Sequence, residues 1–87
     1  MPYLTVEATF ITREALSAAQ DNEMHMGDKL RFPDRYIGGA TPTEAGLMAE
    51  KRRVLHLERR LVRLDRYFAG TLPAHQCREL EREMAGE

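Results

Sequence analysis

Six arginines within a short stretch of the chain are the residues whose type and spacing most directly indicate chemistry. A guanidinium group is planar and can bind a phosphate or a carboxylate through two parallel hydrogen bonds. At about 100° per residue on a helix, the six arginines share one arc with His56, and no acidic residue lies within it. The arginines are Arg52, Arg53, Arg59, Arg60, Arg63 and Arg66. This arginine arc predicts a surface that binds an anion or an acidic partner.

Two interpretations of the arginine arc remain open. One is an anion-binding module that recognises nucleic acid or a nucleotide through its phosphates. The other is a solvated face whose charges form salt bridges with a neighbouring subunit, for which the sequence offers Glu79, Glu81 and Glu83. The helix carries no Asn or Gln for base edges and only Tyr67 near the arc for stacking, so sequence-specific DNA recognition is poorly supported.

Two further clusters contain residues that can bind metals. Residues 23–26, Glu-Met-His-Met, have the thioether and imidazole groups that copper prefers, although methionines at a helix end are also typical of inward packing. His75 and Cys77 supply two ligands, which is short of a four-ligand zinc site. We therefore expect no metal and no cofactor, and no combination of nucleophile, base and orienting residue stands out.

The N-terminus offers one enzymatic interpretation. Once Met1 is removed, Pro2 becomes the terminal residue, and apolar and polar side chains alternate over residues 3–10. This start resembles the tautomerase superfamily, whose members use an N-terminal proline amine as general base and assemble as trimers or hexamers. The rest of the chain departs from that family, because a long basic helical hairpin occupies its second half. Pro2 is the only residue that favours an enzyme, and we predict a non-enzymatic protein.

The composition bounds the class of protein. Eighty-seven residues suffice for one domain with a marginal core, which oligomerisation commonly supplements. The net charge of −1 conceals a basic segment, since residues 51–66 hold seven basic side chains against Glu58 and Asp65. The only cysteine, Cys77, favours a reducing, cytoplasmic setting. No stretch approaches the roughly 18 apolar residues of a membrane span, and the preference for arginine over lysine favours a bacterial or phage source.

The first part of the chain predicts a strand, a short helix and an extended segment. Residues 3–11 alternate with the period of a half-buried strand. Thr12 is a plausible N-cap for a helix over residues 13–26, and Gly27 is a plausible stop. Residues 28–39 predict an irregular edge segment, because the proline within it cannot donate to a strand ladder.

The second part of the chain predicts two helices. In the sequence Thr-Pro-Thr-Glu, Thr41 is the predicted N-cap and the following proline the first helical residue, which predicts a long helix over residues 42–69 that ends at Gly70. A shorter helix over residues 73–84 follows after a brief link, which folds the pair into an antiparallel hairpin. The prediction is therefore a single domain of α+β class, mainly helical, over residues 1–87, with residues 1–40 and 41–87 as its two parts.

The long helix carries two apolar seams. Its main seam has the alternating three- and four-residue spacing of coiled coils, and it contains Val54, Leu57, Leu61, Leu64 and Phe68. The second seam contains Met48, Leu55 and Val62. Two seams indicate two packing partners, which are the short helix and either the N-terminal segment or a second subunit. The alternative is one broad core face, and in both cases Leu57, Leu61 and Leu64 should be buried.

These features predict a small interaction or regulatory protein without enzymatic activity. It would form a homo-oligomer through its apolar seams and bind or inhibit a partner protein. The alternative is an anion-binding module in which the arginine arc recognises nucleic acid or a nucleotide. Neither interpretation involves a membrane.

Overall fold

The computed structural model describes residues 4–35 and 41–86, and 86% of the described chain is helical. Within these residues, helix α1 spans Val6–Arg31, α2 spans Glu44–Ala69 and α3 spans Ala74–Ala85, with a 3-10 turn at Pro33–Arg35. The helices form a rod with extents of 51 × 20 × 20 Å. The described residues contain no strand, so the predicted α+β class is wrong.

The predicted N-terminal strand is instead the first part of α1. The short alternation of apolar and polar residues is followed by a longer helical pattern, in which Ala8, Thr12, Ala15 and Ala19 recur every three or four residues. These four small residues form the face of α1 that packs against the rest of the rod. Burying this face along a 26-residue helix stabilises the chain more than a strand of a few residues would, so the helical pattern prevails over the short period-two alternation.

Thr12 and Gly27, predicted as the cap and the stop of a short helix, both lie inside α1. The Thr12 hydroxyl donates a 2.7 Å hydrogen bond to the carbonyl oxygen of Ala8, so this buried side chain is satisfied without ending the helix. α1 ends at Phe32. The predicted edge segment thus begins as helix and continues into the 3-10 turn, while its residues 36–39 lie outside the described residues.

Helix α2 begins two residues later than predicted but with the same type of cap. Thr43, not Thr41, is the N-cap, and its hydroxyl accepts a 3.0 Å hydrogen bond from the backbone N–H of Gly46. The C-terminal end agrees with the prediction, because Gly70 adopts φ 77°, the left-handed conformation that stops a helix. α3 turns back along α2, which is consistent with the predicted helical hairpin.

Helices α1 and α2 are antiparallel, and small residues let them pack along most of their length. Ala19 packs against Val54 and Leu57 near the middle of the rod. Near the start of α2, a Cβ atom at Gly46 would lie 3.2 Å from Cε of Met26, so the absence of a side chain accommodates that methionine. These contacts fix which residues of the two helices lie at the same height along the rod.

The third helix joins the pair at the end where α1 begins. Ala8, Leu64, Leu72 and Leu80 form a buried cluster there, and the side chains of Leu64 and Leu80 are fully buried. Two of the three leucines predicted to be buried, Leu57 and Leu64, are buried, and Leu61 is half-buried. The core is therefore one narrow seam between α1 and α2, which widens where α3 packs against the start of α1.

Truncation of Leu64 tests this core. Leu64→Ala should lower the free energy of unfolding by about 2–5 kcal/mol, because the buried cluster loses apolar contacts and a cavity remains. Leu55→Ala makes the same chemical change on an exposed surface, and should shift stability by no more than about 0.5 kcal/mol. Urea unfolding followed by circular dichroism at low protein concentration measures both. Equal losses in the two variants would contradict the assignment of faces.

Candidate functional site

Helix α3 divides the arginine arc into a buried part and an exposed part. Arg60 is only 3% exposed, and its Nη2 donates a 3.0 Å hydrogen bond to Oε1 of Glu83. Arg63 donates from Nη1 to Oε2 of the same carboxylate at 2.7 Å and from Nη2 to Oε1 at 3.2 Å. Nε2 of His56 lies 3.0 Å from Nη2 of Arg60 and 3.2 Å from Oε1 of Glu83. These four residues form an ion cluster that attaches α3 to α2.

The ion cluster keeps Glu83 ionised. Hydrogen bonds from Arg63 are the largest cause, and with those from Arg60 they outweigh the cost of partial burial and lower the pKa of Glu83 from 4.5 to about 2. A carboxylate with a lowered pKa stabilises the folded chain at neutral pH. This contribution is fully present above pH 4.5 and is lost as the pH falls towards 2.

Two of the predicted binding residues therefore already have a partner in their own chain. The sequence offered Glu79, Glu81 and Glu83 of a neighbouring subunit as neutralising groups, and the structure places Glu83 of the same chain on Arg60 and Arg63. One sequence signal for the burial of Arg60 exists, since Leu57 and Leu64 lie three residues before it and four after it on the core side of the helix.

The exposed part of the arc contains a regularly spaced set of arginines. Arg52, Arg59 and Arg66 are seven residues apart, so they follow one side of α2, and we call them the arginine line. Among the residues that the structure describes, no carboxylate forms an ion pair with any of the three. Arg53 is also exposed but lies away from this line, nearer the core side of the helix.

An exposed apolar line runs beside the arginine line. Met48, Leu55 and Val62 are also seven residues apart, and each side chain is about half exposed, between 46% and 53%. The sequence interpreted these residues as a second packing seam, and no described part of the chain covers them. Helical geometry places them opposite the side of α2 that packs on α1. We call the two lines together the α2 outer face.

The enzymatic and metal-binding candidates do not combine into a site within the described chain. Pro2 lies outside the described residues, and the strand that carried the tautomerase resemblance is helical from Val6 onwards. Met24 is exposed, whereas Met26 packs against α2. Cys77 is partly buried, and its Sγ donates a 3.4 Å hydrogen bond to the carbonyl oxygen of Leu72, which is the arrangement of a structural thiol.

Removal of the Glu83 charge tests the ion cluster. Glu83→Gln should lower the free energy of unfolding at pH 7 by about 1.5–3 kcal/mol, because the buried Arg60 loses its carboxylate partner. The difference in the free energy of unfolding between this variant and the unmodified chain should shrink between pH 5 and pH 3. In that range Glu83 becomes protonated in the unfolded chain but stays ionised in the folded chain. Glu79→Gln, on the exposed side of α3, is the matched control. A loss that does not depend on pH would contradict the cluster.

Residues 4–35 and 41–86 contain no group of three His, Cys, Asp or Glu side chains that could hold a metal ion. In the same part of the chain, no helix is both long and apolar enough to cross a membrane. Comparison with known protein families, with curated proteins and with solved structures finds no match for this chain.

Proposed function

We propose that this chain is a non-enzymatic protein-interaction module, and that its α2 outer face binds an acidic amphipathic helix. The observation that carries the proposal is the arginine line, which has no ion pair among the described residues and runs beside an exposed apolar line. A regulator or inhibitor that acts by docking needs such a surface and no catalytic group. The single cysteine, Cys77, favours a reducing compartment as its setting.

The two lines together match the recognition of one helix by another. In helical interfaces, apolar residues at seven-residue spacing form the buried contact, and charged residues beside them select the partner and its orientation. Met48, Leu55 and Val62 supply the apolar contact over about 21 Å of helix. Arg52 and Arg59 stand beside it, where the guanidinium groups match carboxylates at the same spacing on a partner.

Recognition of nucleic acid is less well supported by the same surface. Arg60 and Arg63, two of the six arginines of the arc, are already paired with Glu83. The remaining line adjoins apolar side chains, which phosphates do not require, and the chain as a whole has a net charge of −1. An acidic helix uses both the arginines and the apolar residues, whereas a phosphate backbone uses the arginines alone.

A designed peptide tests this function. The probe is a labelled synthetic helix with glutamates at seven-residue spacing beside a stripe of leucines, and fluorescence anisotropy measures its binding. Binding should weaken with added salt and fall at least tenfold in Arg59→Glu/Arg66→Glu, since reversed charges on the arginine line repel the glutamates at about 1.4 kcal/mol or more.

Two controls make this result specific. Arg53→Glu adds a negative charge to α2 away from the outer face, so it should bind the peptide nearly as the unmodified chain does. The same assay with a short DNA duplex covers the anion-binding alternative. The proposal is overturned if the peptide does not bind at low salt, or if the duplex binds more tightly with a steep salt dependence.

A further inference from the structure

We propose that a second copy of this chain is the partner of the α2 outer face, and that it docks through the outer face of its α1. This inference rests on the proposed function, because it names the acidic amphipathic helix that the α2 outer face binds. The surface of α1 carries lines of residues that match those of α2 in chemistry, spacing and height.

The first match is apolar. Val6, Phe10 and Met24 lie on the side of α1 opposite the alanines that pack against α2, and they are between 61% and 76% exposed. We call Phe10, Ser17 and Met24, which are seven residues apart, the apolar line of α1; its middle member is a small polar residue, and Val6 lies one turn before Phe10. Val6 and Phe10 are one helical turn apart, so two large exposed apolar side chains lie next to each other on this side of α1.

The second match is a line of acidic residues. Glu7, Glu14 and Asp21 are exposed and seven residues apart, so they follow one side of α1 beside its apolar line. Within the described parts of the chain, none of the three forms an ion pair. This acidic line has the same number of charges and the same spacing as the arginine line of α2, with the opposite sign.

The heights of the two charge lines also agree. The packing of Ala19 against Val54 and of Met26 against Gly46 sets the antiparallel register of α1 and α2. In that register, each member of the acidic line lies at the height of one member of the arginine line. The pairs at equal height are Glu7 with Arg66, Glu14 with Arg59, and Asp21 with Arg52.

The apolar lines follow the same register. Phe10 lies at the height of Val62, and Met24 lies at the height of Met48. Leu55 is level with Ser17, whose small side chain leaves room for a leucine. A second copy placed beside the first in nearly the same orientation would bring its α1 against α2, with these apolar residues in contact and all three charge pairs facing each other.

The position of α3 places both charge lines on the same side of such a contact. Glu7 borders the groove between α1 and α3, together with Met84. Arg59 borders the groove between α2 and α3, together with Glu83. Both charge lines thus lie on the α3 side of the rod. When neighbouring copies have the same orientation, the acidic line of one copy and the arginine line of the next therefore lie at the same edge of the contact and face each other.

This contact joins two different faces, so it is heterologous. Each assembled pair keeps a free α1 outer face at one end and a free α2 outer face at the other, and further copies add until a ring closes or a filament forms. An isologous pair of α2 helices is less favourable, because it leaves the acidic lines unused. Its antiparallel form would also place the arginine line against itself.

Exchange of charges between the two faces tests the proposal. In Arg59→Glu, the new glutamate on α2 faces Glu14 of the next copy. In Glu14→Arg, the new arginine on α1 faces Arg59 of the next copy. Each variant alone therefore has like charges in contact. In an equimolar mixture, alternating copies have opposite charges at every contact. The unmodified chain of 10.0 kDa should therefore increase in mass with concentration. Each single variant should associate at least about tenfold more weakly than the unmodified chain. The equimolar mixture should recover the association of the unmodified chain.

Sedimentation velocity over a concentration series at low salt measures these masses. Arg53→Glu and Glu79→Arg make the same charge changes away from the two outer faces and should associate as the unmodified chain does. Circular dichroism confirms that every variant remains helical.

Three results would overturn the proposal. One is an unmodified chain that stays monomeric at every concentration. If that monomeric chain still binds the acidic peptide, the proposed function stands and only the self-association is overturned. Another is a Glu14→Arg variant that associates normally while Arg59→Glu does not, because the arginine line would then bind a surface other than the acidic line of α1. The third is a mixture that fails to recover.

Discussion

The antiparallel packing of α1 on α2 is the constraint on which the rest of the structure depends. α1 contributes small residues to it, such as Ala8 and Ala19, so the two helices approach closely but bury little apolar area. Leu64 and Leu80 alone are fully buried among the large side chains of the described residues. Large apolar side chains remain on the outer faces of both helices instead. A chain of this length has a marginal core, so any contact that covers those faces adds stability that the fold by itself lacks.

Helix α3 completes this narrow core and also determines which charges remain on the surface. A buried guanidinium is costly without a counter-charge, so Arg60 is compatible with the fold because Glu83 reaches it from α3. The same carboxylate binds Arg63. The arginines that stay exposed are then mainly those at seven-residue spacing, and a broad basic arc becomes a narrow line. The internal ion cluster and the exposed arginine line are thus two consequences of one helix position.

The parts of the fold that the sequence predicted are those with strong local signals. Gly70 ends α2 in the sequence and in the structure, whereas the N-cap is Thr43 rather than the predicted Thr41. The three- and four-residue spacing identified Val54, Leu57 and Leu64 as core, but Phe68, a member of the same seam, is 42% exposed. Only the middle of α1, residues 13–26, was predicted as a helix. Its start was mispredicted because a brief alternation of apolar and polar residues is also typical of a strand, and because Thr12, whose hydroxyl bonds back to the helix, is also a residue typical of an N-cap. The flanking Leu57 and Leu64 are a local signal for the burial of Arg60, but no local pattern encodes its pairing with Glu83, 23 residues away.

The seven-residue spacing on both outer faces has a geometric consequence for how copies can meet. A straight α-helix drifts by about 20° per seven residues, so a line of three members turns by about 40° and still stays on one face. The lines on α1 and α2 drift in the same sense, because both helices are right-handed. Two such helices keep their lines in contact when they cross at about 20°, as neighbouring helices in bundles do. Three-member lines on both faces therefore suit a contact of a few helical turns between rods inclined to one another, and successive inclinations in the same sense would make an assembly of copies twist.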